Sequence, residues 1–126
     1  MKIAHIALYT NDLERARTFY QTYFEGVAGE LYHNPKTGLQ TYFLSFADGA
    51  RLELMTRPQL SAAANGVCVG WAHLAFAVGS RENVDALTAR LRTDGYVVVS
   101  GSRVTGDGYY ESCVLDPDGN TVEITA

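Results

Sequence analysis

The chain spells one short strand twice and one hairpin twice, in the same order. "AHIA" at Ala4 to Ala7 returns as "AHLA" at Ala72 to Ala75, 68 residues later, and "DGARLEL" at Asp48 to Leu54 returns as "DGNTVEI" at Asp118 to Ile124, 70 residues later. Two motifs repeated in order at nearly one distance mark a duplicated unit. Each copy must then reach the same fold from about half of the sequence, which excludes most architectures open to a chain of this size.

Between the two motifs, Asn11 is placed to cap a helix, with Glu14 three residues on to complete a capping box. Leu13, Ala16, Phe19, Tyr20, Tyr23 and Phe24 keep helical spacing, and Gly26 marks the exit. Strand patterns follow in "VAGELY", "LQTYFLSF" and "ARLELM", separated by the turn-rich "HNPKTG" and by "ADG". The first half therefore reads βαβββ. The small, polar stretch "RPQLSAAANGVCVG" reads as a linker over about 57–70, and the order then recurs. A strand "WAHLAFAV" leads to a helix from about Ser80 with Val84, Leu87 and Leu91 on one face, and Gly95 stops it. "YVVVSG", "YYESCVL" and "NTVEIT" complete the second copy. The fold class is α+β: one domain over 1–126, made of modules 1–56 and 71–126.

Composition narrows the partners. With 126 residues, 47% apolar and 19% charged, the chain can bury a core of its own. A net charge of -4 offers no basic footprint for nucleic acid or an anionic membrane, so a small molecule is the expected ligand. "MKIAHIALYTND" lacks a signal-peptide apolar region, and a cytoplasmic location is expected. Cys68 and Cys113 form no CxxC pair and read as two reduced, partly buried thiols.

Alternation along the strands assigns directions. Leu52 and Leu54, like Val122 and Ile124, point one way, toward the helices, so Glu53 and Glu123 point the other. By the same parity His5 lies opposite Ile6 and Leu8, and His73 opposite Leu74, Phe76 and Val78, with small Ala7 and Ala75 on the histidine face. A single outer-face glutamate is ordinarily solvated, and a single histidine among apolar residues is ordinarily a satisfied core residue. The same pair recurring at the same place in both copies favours a shared site, on one concave surface if the sheets curve together.

These residues resemble the vicinal oxygen chelate superfamily, and within it the glyoxalase I-like proteins, whose relatives include bleomycin resistance proteins and dioxygenases. The resemblance spans nearly the whole chain, through the paired βαβββ units, the opening "HIALYTNDLERARTFYQTYF" and the closing "LDPDGNTVEI". It implies two modules forming a curved mixed sheet around a metal, with His5, Glu53, His73 and Glu123 as ligands. It also implies a homodimer with shared metal sites. Neutral imidazoles with carboxylates suit Ni, Zn or Co, with Fe or Mn also compatible, and the set leaves positions open for a substrate.

The resemblance implies a metal-dependent lyase or isomerase of the lactoylglutathione lyase type, moving a proton through a metal-bound enediolate. Glu123 is its first candidate base and Glu53 the counterpart. Glutathione as co-substrate is where the resemblance thins: Tyr9 stands where an arginine is expected, and no asparagine follows Glu53. Arg57 or Arg103 could hold an acidic substrate tail, though both read first as solvated surface charges. Tyr9, Phe43, Trp71 and Tyr109 could line a pocket but read first as core, and His33 reads as exposed. The alternatives are an Fe(II) dioxygenase using His5, His73 and Glu123, an epimerase, and a non-catalytic drug binder that needs no ligands.

Overall fold

The computed structural model describes residues 2–61 and 69–126. Half of the expected linker over 57–70 falls outside them, as does Cys68. Two compact units, Met1–Ala64 and Asn65–Ala126, divide the chain inside that stretch.

In the first unit β1 (Ile6–Tyr9) leads into α1 (Leu13–Phe24), followed by β2 (Val27–Ala28), β3 (Tyr32–His33), β4 (Gln40–Ser45) and β5 (Arg51–Thr56). The sheet runs β1-β5-β4-β2, with β3 also on β4. In the second unit β6 (Leu74–Ala77) leads into α2 (Arg81–Thr93), then β7 (Val98–Val104), β8 (Tyr110–Leu115) and β9 (Thr121–Thr125), ordered β6-β9-β8-β7. Each unit thus has its own mixed sheet, whose first strand lies parallel to its last. Ala7 pairs with Glu53 and Ala75 with Glu123, so the repeat is one of register as well as order.

The expected second strand is irregular in both copies. "VAGELY" is split into β2 and β3, where the Gly29 amide donates to the Phe43 carbonyl at 2.8 Å. In the second unit β7 stays continuous, but its register against β8 shifts between Val98 and Ser100 and again between Ser100 and Arg103.

Local chemistry moves one helix start. Asp12, not Asn11, caps α1: its carboxylate accepts from the Arg15 amide at 3.0 Å. Glu14 does not close a capping box. It accepts from the Tyr42 hydroxyl at 2.7 Å and from Arg17 Nε at 2.9 Å, tying the helix to β4. The helix ends at Glu25, in the left-handed region at φ 57°. α2 starts as expected, with Ser80 accepting from the Asn83 amide at 3.2 Å, and Gly95 leaves it at φ 92°, where a side chain would be strained.

Each core lies between helix and sheet. In the first unit Leu13, Ala16, Phe19, Tyr20 and Phe24 of α1 are buried, with Leu44, Leu52 and Leu54 of the sheet. In the second, Val84 and Leu91 are buried with Val114, Val122 and Ile124, and α2 packs on β8. Ser112 and Thr88 sit in this core: the Thr88 hydroxyl donates to the Val84 carbonyl at 2.6 Å and so accepts from the Ser112 hydroxyl, also at 2.6 Å. Among the described residues no helix is long and apolar enough to cross a membrane.

The closing hairpins need their Asp-Gly turns. Gly49 and Gly119 adopt φ 86° and 88°, and the Ala50 amide donates to Asp48 at 2.9 Å. The second turn is more strongly built: buried Asp116 accepts from the amides of Asp118 and Asn120, at 3.0 and 2.8 Å, and from Asn120 Nδ2 at 2.9 Å. Asp116→Ala is expected to lower the free energy of unfolding by about 2–3 kcal/mol, because charge-assisted bonds are lost from a buried site. Asp48→Ala, which removes a carboxylate from an exposed turn, is expected to cost about 1 kcal/mol. Urea denaturation of the two variants measures both.

Candidate metal centre

Two imidazole–carboxylate pairs stand at equivalent places in the two units, each on the sheet face turned from its helix. In the first unit His5 Nε2 lies 3.6 Å from Glu53 Oε2, and in the second His73 Nε2 lies 3.6 Å from Glu123 Oε2. Both histidines sit one residue ahead of β1 and β6 rather than within them. The glutamates are central in β5 and β9, with side chains 16% exposed in both cases against 38% and 42% for the histidines. Their strand neighbours Ala7 and Ala75 are exposed and present only a methyl group, so neither carboxylate is covered from that side.

The separation is chemically informative. At 3.6 Å neither pair makes a direct hydrogen bond, which needs about 2.7–3.2 Å from nitrogen to oxygen. Two ligands each about 2.1 Å from one ion stand roughly 3–3.4 Å apart, so a shift of a few tenths of an ångström brings either pair to ligation. The donor set, neutral nitrogen beside carboxylate oxygen, fits a borderline divalent ion.

The two pairs have different surroundings. Phe43, opposite Glu53 in β4, meets the His5 ring edge-on with centroids 5.1 Å apart, and the Arg51 guanidinium lies over the Phe43 ring at 5.1 Å. Arg51 Nε also donates to the Ala4 carbonyl at 3.4 Å, next to His5. Phe43 is therefore half-buried against a candidate ligand rather than sunk in the core. Tyr9, Trp71 and Tyr109, expected in the core, are 48%, 92% and 60% exposed, because they fall on strand edges or just outside strands. His33 is exposed as expected, although it ends β3.

In the second unit Cys113 takes the place of Phe43, opposite Glu123, and Glu111 lies two residues earlier on the same face. Ligand atoms of Glu111, Cys113 and Glu123 all lie within 4.8 Å of one another. Burial pushes the Glu111 carboxyl up from its ordinary range, the charge of Glu123 adds to this, and Arg103 opposes it. Burial, then Glu123, also raises the Cys113 thiol, a free cysteine in a poor setting for a thiolate. Arg103 is exposed, as expected, but it is also paired: its guanidinium donates to Glu111 at 3.2 Å and to the Ser100 hydroxyl at 2.7 Å. Arg57 is exposed, as expected. Glu111 was missed because "YYESCVL" offers no motif. Pairing β8 back from the Asp-Gly turn would have found it, since that count sets Cys113 opposite Glu123.

Known proteins resemble the chain throughout its length. A model of the Glyoxalase/Bleomycin resistance protein/Dioxygenase superfamily matches residues 2–124. An uncharacterised Bacillus subtilis protein, YqjT, is 30% identical over 129 aligned positions, covering 97% of this chain and 96% of its own. The crystal structure of a glyoxalase family protein from Enterococcus faecalis superposes with a TM-score of 0.81 at 24% identity, over 99% of this chain and 97% of that one. The trypanothione-dependent glyoxalase I of Leishmania major superposes with a TM-score of 0.79 at 20% identity, over 99% and 86%. At these identities the two structures are alike in fold.

Proposed function

The chain belongs to the Glyoxalase/Bleomycin resistance protein/Dioxygenase superfamily, and from that premise we propose that it is a metal-dependent lyase or isomerase of the glyoxalase I type. Its substrate is a small molecule that offers two adjacent oxygens, one of them a carbonyl. The observation that carries this reading is the matched pair of half-sites, His5 with Glu53 and His73 with Glu123, each separated by 3.6 Å on the same strands of its unit. A non-catalytic binder has no use for two such pairs, and a two-histidine, one-carboxylate iron site leaves Glu53 unexplained.

His5, Glu53, His73 and Glu123 would hold a divalent ion, nickel, zinc or cobalt suiting the donors best. When bound, such an ion supplies a Lewis acid for negative charge developing on the substrate oxygens. The chain's own part is proton transfer: Glu123 takes the proton from the substrate carbon and returns it to the neighbouring one, and Glu53 is its counterpart. Each carboxylate sits on a strand of its own unit's sheet, which holds it rigidly within that unit. Ala7 and Ala75 leave space beside them for the substrate. The same reading has two copies of the chain pair as a homodimer and share their ligands.

Calorimetry with nickel, zinc and cobalt is expected to show tight binding to the wild-type chain. His5→Ala and His73→Ala should each weaken it by more than the about 10–100-fold typical of losing a group outside the ligand set. The hemithioacetal of methylglyoxal with glutathione, assayed beside thiol-free 2-oxo compounds without oxygen, then identifies the substrate class. A chain with no affinity for divalent ions, or turnover that consumes oxygen, overturns the proposal.

A further inference from the structure

We infer that Glu111 is a positioning residue for Glu123, holding the Arg103 cation away from the carboxylate proposed to bind metal. The inference rests on the metal reading above and extends it to residues outside the ligand set.

Position in the repeat separates this role from a structural one. Glu111 faces Thr125 across the β8–β9 ladder, and the equivalent residue of the first unit, facing Met55 across β4–β5, is Thr41. Both are buried, so the scaffold accepts a neutral side chain at this place. A carboxylate that is only 8% exposed is costly unless partnered. Its partner is Arg103, directly opposite it in β7, with Nη2 at 3.2 Å from Oε1. Arg103 is in turn held by the Ser100 hydroxyl at 2.7 Å, and the register shifts in β7 bring Ser100 and Arg103 to this side.

Glu111 and Glu123 have carboxylate oxygens within 4.8 Å. The Cys113 thiol, also within reach of Arg103, is neutral, so Glu123 would be the charged acceptor left on this face if Glu111 lost its charge. A guanidinium turned onto Glu123 competes with a metal ion for the same oxygens and repels the ion as well. With Glu111 in place, the Arg103 charge is cancelled locally and Glu123 is left to His73. The first unit has no matching need, since Arg51 lies over Phe43 and donates to the Ala4 carbonyl.

The test is a cobalt(II) titration of the full chain, followed by visible absorption and by calorimetry, with apo-protein melting curves as a check on folding. Glu111→Gln is expected to bind cobalt about 10–100-fold more weakly than wild type, the usual effect of losing a partner of a metal ligand. Arg103→Met should bind no more weakly than wild type, and the double variant should return to within a few-fold of wild type with its absorption spectrum. Glu111→Gln binding as tightly as wild type overturns the inference, and so does a double variant that stays as weak as Glu111→Gln. Should Glu111→Gln fail to fold, Arg103→Met decides alone, weakened binding counting against the inference. A wild-type chain that takes up no cobalt overturns the metal reading and this inference with it, whereas normal uptake by wild type and Glu111→Gln alike overturns this inference only.

Discussion

Glu123→Gln is expected to lower turnover about 10²–10⁴-fold, the range that a positioned general base contributes. Glutamine keeps the shape and one oxygen of the side chain but does not accept a proton near neutral pH. The substituted side chain stays half-buried on the face away from α2, beside His73, so the fold should survive with little change in melting temperature. Because Glu123 is also a proposed ligand, the ion bound per chain must be measured with the rate, and turnover expressed per bound ion. Glu53→Gln is the comparison: weaker metal binding, with more of the turnover per bound ion retained. Unchanged turnover per ion in Glu123→Gln would end its assignment as base, and a loss confined to Glu53→Gln would pass the role to that residue.

The largest effect on stability is expected one residue along from each of these glutamates. Leu54 and Ile124 are fully buried, on the opposite face of β5 and β9 from Glu53 and Glu123. Truncating either to alanine removes contacts that a close-packed core does not refill, at a cost of about 2–5 kcal/mol. A domain of this size is stable by only about 5–15 kcal/mol, so either variant should unfold at markedly lower urea. The same alternation that buries Leu54 turns Glu53 outward, and Glu53→Ala should shift the urea midpoint far less. Equal shifts would mean that the carboxylate is part of the core, contrary to the strand register.

Much of this was readable in the sequence because strand alternation and turn chemistry act over a few residues. The Asp-Gly hairpins at Asp48 and Asp118, the outward glutamates and the Ser80 cap all follow from local rules. Asn11 failed as a cap because Asp12, one residue later, stands three residues before the Arg15 amide, and two good capping side chains in a row are not distinguished by pattern. The aromatic residues misled for a related reason. Hydrophobicity alone places Tyr9, Trp71 and Tyr109 inside, but burial depends on whether a neighbouring strand or helix covers that position.

The amino-acid order by itself determined the duplication, the βαβββ class and the side of the strands on which His5, Glu53, His73 and Glu123 lie, since each rests on periodicity within a strand or on a repeat along the chain. Tertiary structure alone decided what stands beside those residues: Phe43 on His5, with Arg51 over Phe43, and Glu111 with Arg103 next to Glu123. The physical reason is that these are cross-strand contacts, and their partners depend on which strands are neighbours and on the register shifts in β7. Neither leaves a mark in the spacing of residues along one strand.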